Sequence, residues 1–181
     1  MSAKTPEPVR CTATLELIED RTIARLPADA SASLPSRGQV AVTGSANGHD
    51  FSTVVEPDGR RGHWIRIDEA LREAMAVEAG GTVELELTPT KEWPEPAVPE
   101  DLQTALDDAP DTEDVWSSIT PMARWEWVRW VKATKSPQTR ERRVDVTISK
   151  LRDGKRRPCC FDLSSCTEPA LAKSGVLMGT E

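Results

Sequence analysis

The chain has 181 residues, enough for one large domain or two small ones with a real core. Its 29% charged and 38% hydrophobic residues fit a soluble globular protein and exclude a wholly disordered one; no apolar run approaches the roughly 18–20 residues that span a bilayer. The net charge of −7 disfavours nonspecific nucleic-acid binding, because phosphate contacts depend on positive potential.

That net charge is unevenly spread. Residues 94–120 carry eight acids and no Lys or Arg, whereas residues 121–157 carry twelve Lys or Arg against four acids, a local +8. Such polarity makes the C-terminal half the natural place for a partner surface.

The first twenty residues alternate polar and apolar and offer no continuous apolar core of a signal peptide, so the expected location is the cytoplasm. Cys11–Ile18 alternates as a strand, and Arg21–Leu26 pairs back across Glu19-Asp20. Ala28–Leu34 is open between loop and helical turn. Gln39–Gly44 is a strand, followed by Asn47-Gly48, a hairpin signal because a type I′ turn needs positive φ at both positions. Phe51–Val55 returns, Pro57-Asp58-Gly59 turns, and Gly62–Ile67 is the next strand. Asp68 is an N-cap for a helix with Leu71, Ala74 and Met75 inward, which Ala79-Gly80-Gly81 stops. Thr82–Leu87 closes the set with Val83, Leu85 and Leu87 on one face. Five to seven short strands with one inserted helix predict a compact barrel rather than a parallel sheet, which would need repeated helices.

The run Val42, Gly44, Asn47, Gly48, Phe51, with the exit Gly80 and Val83, resembles a bacterial domain of unknown function, number 1905, over residues 10–90. The resemblance implies a small double-split type of β-barrel and carries over no catalytic residues. The residues themselves agree with that silence. His49 and His63 are the only histidines, and adjacent strand residues such as His49 and Asp50 point to opposite faces, which spoils a base-and-orienter pair. No GxSxG and no phosphate-loop pattern occurs. The expectation is a protein that leans away from catalysis and carries no cofactor. A barrel pocket near Asn47, His49 and Trp64 stays open as a small-ligand site.

Four prolines in residues 89–99 predict an extended, semi-rigid connection. Beyond it the pattern is helical. Pro99 opens a helix with Leu102, Ala105, Leu106 and Ala109 inward, and Asp111–Ile119 forms a second, short one. Thr120-Pro121 starts a third, with Ala123, Trp127, Trp130 and Val131 on one face and Trp125 and Val128 on another. Ser136-Pro137 starts the last, with Val144, Ile148 and Leu151 inward and Gly154 as its stop.

Opposite that stripe lie Arg142, Arg143, Val146 and Lys150, with Lys155–Arg157 beyond. They form either an anion-binding surface or a solvated face neutralised by the acidic segment folding against it. Trp127 and Trp130 read as core, and Trp125 as the aromatic available for binding. The candidate binding residues are Arg140, Arg142, Arg143, Lys150 and Trp125, beside Asn47, His49 and Trp64 in the barrel.

The run Trp130, Lys135, Pro137, Thr139, Arg140, Arg143 resembles the YdeI/OmpD-associated family, often labelled bacteriocin-protection proteins, over residues 98–154. Thr134 stands where that family more often has alanine, which leaves the spacing intact. The resemblance implies protection against bacteriocins or cationic antimicrobial peptides.

Residues 155–181 lack periodicity and predict an irregular tail with Phe161 and Leu163 docked on the body. Its Cys159, Cys160 and Cys166, with Cys11, read as reduced thiols; their spacing matches no paired CxxC metal site. The whole predicts an α+β chain, a barrel on 10–90 and helices on 98–154, that binds a protein or peptide partner without a membrane span. A nucleic-acid-associated regulator is the competing reading, by analogy with dimeric bacterial transcription factors that use double-split barrels.

Overall fold

The structure is a computed structural model; it describes residues 7–158, 166–174 and 176–178. The chain divides into two compact units, a barrel unit up to Pro94 and a helical unit from Glu95. Cys166 and the described residues from Ala170 onward belong to the first, and Thr167–Pro169 to the second.

Six antiparallel strands form the barrel: β1 (Val9–Ile18), β2 (Arg21–Arg25), β3 (Val40–Ala46), β4 (His49–Pro57), β5 (His63–Arg66) and β6 (Thr82–Pro89). They close in the order β1-β2-β5-β4-β3-β6, so no long edge is left for a foreign strand to pair with. Side-chain alternation fills the interior: Ala13 and Leu15 from β1, Val42 from β3, Val55 from β4, Ile65 from β5, and Val83, Leu85 and Leu87 from β6.

Turn chemistry sets the register. Glu19 takes φ of 57° in the β1–β2 turn, and Asn47 and Gly48 take 47° and 82° in the β3–β4 turn. Asn47 also fastens that hairpin to β6, accepting from the Glu84 N–H at 2.8 Å through its side-chain oxygen. Where β3 crosses β6, Gly44 lies so close that a Cβ would overlap the Glu86 carbonyl.

Two short helices complete the unit. The open stretch Ala28–Leu34 contains α1 (Ala28–Ala32). Asp68 caps α2 (Glu69–Met75), accepting from the Leu71 N–H at 2.8 Å. That helix departs from expectation at its end: it stops at Met75, with Ala76 in the left-handed region at φ 55°, before Ala79-Gly80-Gly81 is reached. One turn shorter, it buries Met75 and leaves Ala74 exposed, contrary to the inward placement read from the sequence.

The C-terminal segment is more ordered than its lack of periodicity predicts. Short strands β7 (Ala172–Lys173) and β8 (Val176–Leu177) pair, and Leu171, Leu177 and Cys166 cluster with Ile23 and Trp64. The Leu177 N–H donates to the Asp58 carbonyl at 2.9 Å, and Arg25 Nη2 to the Met178 carbonyl at 3.0 Å. Phe161 and Leu163 lie outside the described residues.

The helical unit contains α3 (Glu100–Asp107), a 3-10 turn (Pro110–Thr112), α4 (Glu113–Ser118), α5 (Pro121–Lys132) and α6 (Pro137–Arg152). Thr120 caps α5 and Ser136 caps α6, each accepting from the N–H three residues on. Leu102, Leu106, Ile119, Ala123, Trp127, Val131, Val144, Ile148 and Leu151 form the core. Val128, assigned by spacing to another side of α5, joins them at 4% exposure. Glu126 and Arg129 on α5 are buried as well, so this helix is covered on more than one face and its apolar stripe widens to include Val128.

Candidate functional site

The acidic segment supplies carboxylates to the basic helices within the helical unit. Arg140 on α6 donates to Asp101 on α3 through Nε and Nη2 at 2.7 and 3.0 Å. Arg152 at the end of α6 reaches Asp111 at 2.7 Å, and Arg124 on α5 reaches Glu95 at 3.0 Å. Arg124 also donates to the Trp116 and Ile119 carbonyls, tying α4 to α5. Asp101 is held below its ordinary range by the Arg140 hydrogen bonds, and Asp111 likewise by Arg152.

Arg143 is also occupied. Its guanidinium lies 5.3 Å from the centre of the Trp130 ring and donates to the Trp130 carbonyl at 2.7 Å. Trp130 in turn meets Trp127 edge-on at 6.1 Å. Elsewhere, Arg157 pairs with the buried Glu126 at 3.3 Å, where burial pushes the carboxyl above its ordinary range. Lys132 pairs with Glu168 at 3.9 Å.

These pairs decide which charges remain for a partner. Among the described residues Lys135, Arg142, Lys150, Lys155 and Arg156 stand without an acid partner, and of these Lys150 is half-buried. On the acidic side Asp107, Asp108, Glu113 and Asp114 are all exposed without a cation. They gather at the corner where α3 gives way, through the 3-10 turn, to α4. Glu113 and Asp114 suit the positive end of α4, but Asp107 and Asp108 sit at the negative end of α3, which has no base in its last turn. Acids there typically cost about 0.3–1 kcal/mol each. Asp107 accepts from Gln103 Nε2 at 2.9 Å, but no cation meets either acid among the described residues.

The remaining candidates are scattered. Trp125 is half-buried on α5. Asn47 and His49 are exposed at the β3–β4 turn, while Trp64 is 2% exposed beneath the C-terminal strands and donates to the Pro57 carbonyl at 3.1 Å. Trp64 pairs with Glu56, seven residues along β4 from His49 or roughly 23 Å at strand rise. These three side chains do not meet in one pocket.

A buried polar pair was missed in the sequence. His63, for which the sequence offered no role, is fully buried at the start of β5. Its Nε2 lies 3.0 Å from the Gly38 carbonyl and its Nδ1 2.6 Å from Ser31 Oγ on α1. A carbonyl only accepts, so neutral His63 carries its proton on Nε2 and the Ser31 hydroxyl donates to Nδ1. The signal was available in alternation: His63 shares the inward parity of Ile65 and Ile67. Ser31 is itself 1% exposed, so this pair holds α1 in place and offers no nucleophile to solvent.

Architecture and site together define a two-module α+β protein: a closed barrel followed by a helical unit with an acidic corner that meets no cation among the described residues. Residues 95–154 match the family described as Bacteriocin-protection, YdeI or OmpD-Associated, and residues 12–87 match domain of unknown function 1905. The first match lies on the helical unit and the second on the barrel, and the description of the first family suggests a function related to bacteriocin protection. No curated protein matches the chain. Among the described residues no helix is long and apolar enough to cross a membrane.

Proposed function

We propose that this chain is a bacterial cytoplasmic binding protein that takes up cationic peptides of the bacteriocin or antimicrobial type without covalent chemistry. The carrying observation is the acidic corner of Asp107, Asp108, Glu113 and Asp114, exposed and without a cation among the described residues, two of its members set against the α3 dipole. Four carboxylates within eight residues of chain create a negative potential that attracts cationic ligands and speeds their encounter. The bases that would have opposed them, Arg140 and Arg152, are drawn to Asp101 and Asp111.

An anionic partner on Arg142, Lys150, Lys155 and Arg156 is the second reading. It is the weaker one, since Arg140 and Arg143 of the original basic set are consumed inside the unit.

The test is titration calorimetry of a cationic amphipathic peptide against the wild type and an Asp107→Asn, Asp108→Asn, Glu113→Gln, Asp114→Asn variant. The variant should bind at least about tenfold more weakly, a loss of about 1.4 kcal/mol. Equal affinity in both proteins removes the acidic corner as the site.

A further inference from the structure

The mouth of the barrel holds an open groove of about 1200 Å³, walled by α1 and the loop after it, by the start of β1, by β3 and by the end of β6. We infer that this groove is a second binding site and that its occupant is a short extended peptide carrying both charge signs. This inference stands on the barrel unit alone, so its failure and that of the helical-unit reading are distinguishable.

Size is the first argument. Pockets for small metabolites and cofactors commonly hold about 300–1,000 Å³ and enclose most of the ligand. This groove is larger and open, which suits a ligand that lies along it.

Lining chemistry narrows the class. Val9, Val40 and Ala41 give an apolar floor, and Trp93 adds an aromatic wall. Glu7 and Asp29 stand on the rim together with Lys91, which has no acid partner among the described residues. Arg10, paired with Glu86, lines it too, so the groove carries two groups of each sign, which favours neither a polyphosphate nor a bare hydrocarbon. A ligand with ammonium, carboxylate and apolar groups answers all of them. Pro8, Pro35 and Pro89 line the groove too, and proline presents a carbonyl but no N–H. The N–H groups of a peptide backbone can meet such carbonyls in series.

The wall opposite β6 is held in advance. His63 grips it at Ser31 and Gly38, and Arg37 Nη2 donates to the Ser31 and Leu34 carbonyls at 2.6 and 3.0 Å. Arg37 Nη1 adds a bond of 3.1 Å to the Arg61 carbonyl. A wall fixed by five hydrogen bonds loses little freedom when a ligand arrives.

The experiment titrates the 15N-labelled full chain with a pool of uncapped hexapeptides, each containing lysine, glutamate and proline. Amide shifts should appear in residues 29–39 and 90–93 and spare the β3–β4 turn. Ser33→Trp fills the groove from an exposed position and should weaken binding at least about tenfold, and Asp29→Lys with Lys91→Glu should weaken it likewise. An unchanged β3–β4 amide pattern establishes that each variant is folded. Shifts confined to the helical unit, no shifts at about 2 mM peptide, or indifference to Ser33→Trp each overturn the inference. So does a response in these residues to octanoate or inorganic phosphate but not to peptide.

Discussion

Arg140 and Asp101 are 39 residues apart in sequence and meet through two parallel hydrogen bonds, at 2.7 and 3.0 Å, that join α6 to α3. The bidentate fork suits guanidinium and carboxylate geometry. Both side chains remain partly exposed, at 34% and 43%, so solvent screens the pair. Its role is to fix the two helices and to withdraw one positive charge from the surface.

Arg140→Ala should therefore cost no more than about 1 kcal/mol in chemical denaturation. Asp101 titrates below its ordinary 3.8 in the fold because of the Arg140 hydrogen bonds. A depressed carboxylate contributes its stability above the unfolded value and loses it as pH falls through the folded one. In the Arg140→Ala protein the Asp101 carboxyl should titrate higher by NMR; an unmoved titration would show that the pair does not form in solution.

Two neighbouring arginines should behave differently. Arg142→Ala removes an exposed charge and should leave stability within about 0.5 kcal/mol. Arg143→Ala removes a ring contact and a hydrogen bond on Trp130 and should cost about 1–2 kcal/mol. Equal denaturation midpoints for the two variants would contradict the placement of Arg143.

His63 should make the barrel sensitive to mild acid. Burial, with Arg37 nearby, holds its imidazole below the ordinary 6.5, against the opposing influence of the Gly38 carbonyl and Asp58. The unfolded chain thus binds the proton more readily, and stability falls as pH drops from about 6.5 toward the folded value. The urea midpoint should be lower at pH 5.5 than at pH 7.5, at about one pH unit either side of 6.5. His63→Gln should flatten that dependence while costing about 2–3 kcal/mol at neutral pH, since Ser31 and Gly38 lose buried partners.

Gly44→Ala places a methyl group on the Glu86 backbone, where nothing flexible can yield. The β3–β6 pairing should open at a cost of more than about 3 kcal/mol, with loss of amide protection in both strands.

Much of this was legible because it is written locally. Asn47-Gly48 announces its turn, Asp68, Thr120 and Ser136 announce their caps, and Val83, Leu85 and Leu87 announce an inward face. The early end of α2 was not, because Ala76 adopts a conformation that alanine does not advertise. Long-range pairings were out of reach for the same reason. The sequence shows acids before bases, but not that Asp101 and Asp111 would be taken up while Asp107 and Asp108 would not. Trp64 looked available until the C-terminal strands covered it, and the partner of His63, Ser31, comes from α1, a stretch whose conformation the sequence left open.

The proposed function makes the acidic corner, rather than the basic face, the surface of the helical unit that meets a partner. The most direct measurement titrates the wild-type chain with a cationic amphipathic peptide and, in parallel, with short duplex DNA, at about 50 and 300 mM salt. Peptide binding should weaken as salt rises, and DNA should give no heat at either concentration. DNA binding at low salt with silence toward the peptide would contradict it and move the site to Arg142, Lys150, Lys155 and Arg156.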